Sequence, residues 1–262
     1  MNHYISNTVG NTYLQLEFPL IHVTENIETI EQIIENGFRF SYCKELLCDL
    51  KRCIEFSYPM VSFSHLHHSQ AKHILRTYGH LSIGMKSEWA IKNNLNPVLY
   101  FERNSSITKT ILESFDVLNS VTTNTIKSSI NDQMIGEKHK YYKQSFSIAS
   151  FSKNFYGSLI RGGITVDDHY CFGAESEWRL ILQKENIEPF ILREQKKEDF
   201  GDFIHKEFLN FEFDDIKYFG VETEFEEEKI KEALKKKFDV NDYQISKIKF
   251  HYDLTRLVPD EG

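Results

Sequence analysis

Proline and glycine are scarce in this chain, five and twelve among 262 residues, which excludes collagen-like and low-complexity disordered compositions. The prolines stand singly, at positions 19, 59, 97, 189 and 259, and no Gly/Ser/Pro linker or internal repeat divides the sequence. A single domain spanning residues 1–262 is therefore expected. No apolar run approaches the roughly 20 residues needed to cross a bilayer. The opening MNHYISNTVGNTYLQLEF has neither a basic n-region nor an apolar h-region, so a cytoplasmic protein with no membrane contact is expected. G-x-G-x-x-G, Walker A, G-x-S-x-G and HExxH patterns are all missing. Positive charge is also in deficit: 31 Lys and Arg stand against 39 Asp and Glu, a net charge of −8. That balance argues against a protein that binds nucleic acid mainly by neutralising phosphate.

What the chain does have is apolar and aromatic mass. Hydrophobic residues make up 40%, with 21 Phe and 13 Tyr, enough for a sizeable core. Acidity concentrates in the C-terminal third, in EDFGDF, FEFDDI and ETEFEEEK, whereas residues 138–161 are locally basic and aromatic. A local nucleic-acid contact there stays open but is not favoured. Three of the four cysteines, Cys43, Cys48 and Cys53, recur every five residues. On a helix such positions lie about 140° apart, so they would not converge on a metal, and reduced, partly packed thiols are expected.

Short helical and strand patterns alternate along the chain. Ile27, Ile30, Ile33 and Ile34 form an amphipathic stripe that ends on Gly37, with Thr24 as the expected N-cap. PMVSFSHL, HLSIGMK, NPVLYFER, ESEWRLILQ and IEPFILRE read as strands, and HSQAKHILRTYG and SEWAIKNNL as helices. The Ser/Thr-rich stretch 104–150 keeps spaced apolar residues, including Ile107, Ile111, Leu112 and Phe115, which suits a variable helical segment. FLNFEFDDIKYFGVE reads as a turn and strand. Phe225, Ile230, Ala233, Leu234 and Phe238 mark a surface helix, with acids early and lysines late to suit its dipole. YQISKIKFHYDL alternates as an edge strand, and RLVPDEG reads as a frayed tail. These elements predict an α+β fold: a mixed, mostly antiparallel sheet with helices packed on its faces.

Several residues are candidates for chemistry, each with a structural alternative. His22, between Ile21 and Val23 on an apolar strand, is either a hydrogen-bonded structural histidine or a ligand-binding one. Glu175 and Glu177 share one face if their segment is a strand, and with Arg179 they form either a site or a charged stripe. Trp89 and Trp178 read as core anchors. His65, His67, His68 and His73 lack an accompanying acid, and no metal site is assigned to them. The turn around Tyr156, Arg161, Gly162 and Gly163 has room for a phosphate or a partner but carries no further signal.

LIHVTENIETIEQIIENGF, PMVSFSHL, YGHLSIGMKSEWAIKNNLNPVLYF and ESEWRLIL, in that order and spacing, resemble the AbiGi family of bacterial abortive-infection, or phage-resistance, proteins. The likeness is clearest over about residues 20–101 and 170–235, and Lys86 and Ser87 stand in the reverse order from the family phrase. This resemblance implies an antitoxin-like binder in a toxin–antitoxin-like defence system, acting with a protein partner encoded in the same operon. The acidic C-terminal third is the candidate partner surface. More distantly, the H-x-T strand and the E-x-E segment are similar to ADP-ribosyltransferase folds. That likeness implies an alternative, an NAD-using enzyme that modifies a macromolecule. Glu177, Glu175 and His22 would then be catalytic, and His22, Thr24 and Tyr78 would hold the NAD. A carboxylate fixed beside the ribose would stabilise the positive charge that develops as the glycosidic bond breaks.

Overall fold

The computed structural model describes residues 18–126, 148–184, 187, 191–192 and 204–252. Strand β1 (Leu20–Thr24) leads into helix α1 (Ile27–Asn36), which buries Ile30, Ile33 and Ile34 and stops at Gly37, where φ is 92°. The N-cap is Asn26 rather than Thr24: its side chain accepts the Thr29 backbone N–H at 3.0 Å. Thr24 is committed to the strand instead, paired with Leu81.

Strands β2 (Phe38–Arg39), β3 (Ser41–Cys48) and β4 (Cys53–His65) follow. The cysteine-rich segment is therefore a hairpin and not a helix. Cys48 and Cys53 face each other across its end and form a disulfide, against the expectation of reduced thiols. Cys43 and Cys171 are free. Strand β4 begins well before PMVSFSHL, so Pro59 lies in its interior, and its carbonyl accepts the Leu182 N–H at 2.8 Å.

Next come α2 (Lys72–Tyr78), β5 (Leu81–Met85) and α3 (Ser87–Lys92). NPVLYFER splits into β6 (Asn96–Pro97) and β7 (Leu99–Phe101), because the intervening Val98 bonds instead to the Glu177 carbonyl. Helix α4 (Ser106–Ile126) occupies the first part of the Ser/Thr-rich stretch, and residues 127–147 of it lie outside the described residues. Then follow β8 (Ser152–Asn154), β9 (Tyr156–Arg161), β10 (Ile164–Cys171) and β11 (Glu177–Ile181). The short β12 (Ile191–Leu192) and β13 (Phe208–Leu209) precede β14 (Ile216–Val221) and α5 (Glu224–Phe238). The expected last strand opens instead as a helical turn, α6 (Asp242–Ile245), because Asn241 caps it; only β15 (Lys249–Tyr252) is extended. Most of IEPFILRE, EDFGDF and the tail RLVPDEG lie outside the described residues.

The main sheet runs β15-β14-β5-β1-β4-β11-β6, with β3 and β12 also pairing along β4. Its pairs are antiparallel except β14 with β15, and β7 and β8 form a separate parallel pair. The chain is thus a mixed, mostly antiparallel α+β protein with helices on its sheet, as its sequence predicts.

Register sorts the side chains of this sheet into two faces. Leu20, Ile83, Met85, Phe63, Val61 and Phe219 align across the strands and point to one face. There they join Ile30, Ile34, Phe38, Trp89, Ile230 and Leu234, brought by α1, β2, α3 and α5, in one buried core. Burying each such side chain stabilises by about 1.5–3 kcal/mol. On the other face the same strands present Ile21, Ser62, Ser64, Ser82, Glu177 and Arg179. Helix α2 covers part of this second face through Ala71 and Leu75, which pack on Ile21 and Tyr218.

Candidate functional site

A cavity of about 550 Å³ opens on the second face, between the sheet and the β9–β10 hairpin. Ile21, Ser62 and Ser64 form its sheet wall, Gly157 and Leu159 belong to the opposite wall, and Glu45, Lys153, Glu175 and Glu177 gather at one place along it. Lys153 stands at the centre of that group. Its ammonium lies 3.0 Å from Glu177, 3.3 Å from Glu175 and 3.8 Å from Glu45, and 4.3 Å from the centre of the Phe172 ring. Arg179, fully buried, joins from the same strand as Glu177. It donates to Glu177 Oε1 from Nε at 3.0 Å, to Glu45 Oε1 from Nη2 at 3.1 Å and to the Ser150 carbonyl from Nη1 at 2.8 Å.

Local backbone geometry makes this convergence possible. Glu175 is not on the strand: it ends a turn of 3-10 helix, Phe172–Glu175, and Ser176 takes a left-handed conformation, φ 45° and ψ 49°, before β11 begins. The expected period-of-two alignment of Glu175 and Glu177 is thus replaced by a kink, and both carboxylates still reach Lys153. A non-glycine residue in this region costs of order 1–3 kcal/mol and persists only where its surroundings fix it. Asn154 fixes the lysine strand, its side chain accepting the Cys48 N–H at 2.7 Å and donating to the Cys48 carbonyl at 2.9 Å.

Tyrosines ring the cluster. The Tyr78 hydroxyl donates to Glu175 Oε1 at 2.5 Å, and the Tyr100 oxygen accepts the Glu177 backbone N–H at 2.9 Å. Burial, reinforced by Glu175, pushes Tyr170 up to about 12 and raises Tyr78 further. Tyr78 ends α2, and Gly79 turns the chain beneath it. A Cβ on Gly79 would lie 2.2 Å from the Thr24 carbonyl oxygen, so only glycine lets the helix end approach β1 this closely. Arg161 lies over the Tyr78 ring at 5.2 Å and donates to the Thr77 carbonyl.

The carboxylates of the cluster differ. Burial pushes Glu177 up, but Arg179 and Lys153 prevail and hold it down to about 2. For Glu45 burial prevails over the same two cations, and its pKa is raised. Burial opposes the charge of Lys153 as well, yet the three glutamates hold its pKa well above the ordinary lysine value. This divergence is the pattern expected where neighbouring acids have different tasks.

The structure brings Glu175, Glu177 and Tyr78 together at this cavity. His22 also borders the cavity, but its ring is turned toward the apolar face. Its register partner is Ile83, its ring lies 5.2 Å from Phe38 and 5.5 Å from Phe63 on the apolar face, and its Nδ1 is 2.9 Å from the Ser62 carbonyl oxygen. Burial lowers its pKa. Thr24 points to that same apolar face by strand alternation. Trp89 and Trp178 pack with the core. Sequence reasoning missed Glu45 and Lys153. Glu45 has no signal of its own in the sequence, where the segment is weighed only for its cysteine spacing on a helix. On the extended strand it alternates with Cys43 and Leu47, a sign that it turns inward. Lys153 lies within the stretch 138–161, which reads as locally basic and aromatic and in which no single lysine stands out. Among the described residues no group of three or more His, Cys, Asp or Glu could hold a metal ion. His67 and His73 bond to their own turn, at Ser69 and Gln70. Nor is any described helix long and apolar enough to cross a membrane.

Fold and site together define an α+β protein with a buried ionic cluster at the wall of a ligand-sized cavity. The family model described as "Putative abortive phage resistance protein AbiGi, antitoxin" matches residues 33–222, which include every residue of that cluster. The chain belongs to the AbiGi family. None of the curated proteins and none of the solved structures compared with it matches.

Proposed function

We propose that this chain is the antitoxin-like component of an abortive-infection phage-defence system, a cytoplasmic protein that binds and restrains a protein partner encoded beside it. The family match over residues 33–222 carries this reading. The acidic C-terminal third supports it as the partner-facing surface. Phe225, Tyr243 and Tyr252 are exposed in a stretch rich in Glu224, Glu227 and Glu228, and aromatic side chains are enriched where proteins meet. Complementary charge would speed association and select the partner.

The test is growth of cells that express the neighbouring gene's product with and without this chain. Growth arrest by the neighbour alone, relief on co-expression and co-purification of the two proteins are the expected results. Arrest that this chain does not relieve, with no complex recovered, would sink the reading. Phe225→Ala and Tyr243→Ala together are expected to weaken co-purification without unfolding the chain.

A second reading, an ADP-ribosyltransferase-like enzyme using NAD, is favoured by one observation: His22, Tyr78, Glu175 and Glu177 border a single cavity. Against it, the His22 ring faces the core, and both oxygens of Glu177 are engaged by Arg179 and Lys153. Labelled NAD offered to the purified chain and to Glu177→Gln separates the readings: turnover lost in the variant supports the enzyme, and no turnover in either supports the binder.

A further inference from the structure

The ionic cluster is out of balance. Glu45, Glu175 and Glu177 bring three negative charges, and Lys153 and Arg179 bring two positive ones. Hydrogen bonds locate the surplus. Glu177 Oε1 accepts from Arg179 and Oε2 from Lys153; Glu175 Oε1 accepts from Tyr78 and Oε2 from Lys153. Glu45 differs: Arg179 and Lys153 both approach its Oε1, and its Oε2 accepts no hydrogen bond among the described residues. Glu45 also borders the cavity. A carboxylate at the wall of a cavity, which shares both of its cations with other glutamates and keeps one oxygen outside their hydrogen bonds, is half of a binding site.

The rest of the cavity fits a cation with an apolar body. Ile21, Leu159 and Phe172 line it beside Ser62 and Ser64, and its volume of about 550 Å³ suits a small organic molecule. Two of the cations that border it are already neutralised, Lys44 by Glu55 at 2.7 Å and Arg161 by Glu25 at 3.2 Å. Arg103 also borders it, and its buried Nε has no hydrogen-bond partner among the described residues, so an anion held there is the competing occupant that the experiment must separate. We propose that this cavity binds a small organic cation, an amidinium, guanidinium or ammonium head on an apolar body, with the Glu45 carboxylate as its counterion. The ligand head would bring the cluster to three charges of each sign. This site is separate from partner binding through the acidic third, so failure of one leaves the other standing.

The experiment is titration calorimetry of the full chain with a shape-matched series: benzamidine, a cation; benzamide, neutral; and benzoate, an anion. Benzamidine is expected to bind, benzamide to bind more weakly and benzoate not at all. Glu45→Gln is expected to weaken benzamidine by about ten- to hundredfold, the scale of one charge-assisted hydrogen bond. Because the series is first run on the unmodified chain, it decides even if the variant folds poorly, and circular dichroism reports the variant's folding. No binding of benzamidine, benzoate binding as tightly through Arg103, or equal benzamidine affinity in a folded Glu45→Gln would each overturn the proposal.

Discussion

The two faces of the central sheet are made by the same strands and differ in almost everything else. One face is filled by Leu20, Phe63, Ile83 and Phe219 against the helices, and its interactions are undirected and additive. The other carries Glu177, Arg179, Ser62 and Ser64, adjoins a cavity, and holds its charges through directed contacts with Glu45, Lys153 and Glu175. Burying charges is costly, and their mutual attraction often only repays the desolvation, so the second face does little for stability that leucines would not do better. What it provides is a polar, pre-positioned surface. The difference teaches where to look for function in this molecule: the apolar face builds the sheet, and the charged face uses it.

That comparison can be broken most forcefully at Arg179. Arg179→Met leaves Glu177 and Glu45 without their shared guanidinium, and a loss of about 3–5 kcal/mol in urea unfolding is expected. Ile83→Ala, on the apolar face, is expected to cost about 2–5 kcal/mol through lost burial and a cavity, with no change in ligand binding across the sheet. Acid sharpens the contrast. Glu177 falls from an ordinary 4.5 to about 2 on folding, so its contribution is fully present above about pH 4.5 and is lost as pH falls toward 2. Glu45, raised on folding, works in the opposite sense, and its ionisation weakens the fold as pH rises through its folded value. Unfolding free energies measured along a pH series are expected to drop on the acid side, by a few kcal/mol at most. Thr223→Ala removes one half of the capping box at the start of α5 and is expected to cost about 1 kcal/mol. Smallest of all, Lys236→Ala breaks an exposed pair with Glu35 at 3.8 Å, and a change below about 0.5 kcal/mol is expected by the same assay.

The apolar face was legible in the sequence because its signals are periodic. The isoleucine stripe of α1, the apolar strands PMVSFSHL and HLSIGMK, and the acid-to-lysine gradient of α5 each report a local rule. The charged face was legible only in part. Glu175 and Glu177 stand close in the chain and were read together, but their convergence on Lys153 depends on a left-handed Ser176, which no periodicity announces. Glu45 and Lys153 come from strands 108 positions apart, and only tertiary pairing brings them to one cavity. His22 illustrates the converse. It borders the cavity as its strand neighbours Ile21 and Val23 do, yet strand alternation turns its ring to the other side, and one register step decides the matter. The disulfide was missed for a related reason: five-residue spacing separates thiols on a helix and pairs them across a short hairpin.

The division of labour between the faces has one direct test. Glu45, Lys153, Glu175, Glu177 and Arg179 would be replaced together by methionine and leucine, and the unfolding free energy measured by urea titration. A chain whose charged face serves binding should be as stable as the original or more so after this exchange. A loss of several kcal/mol in the five-fold variant would contradict the account and show the ionic cluster to be a pillar of the fold.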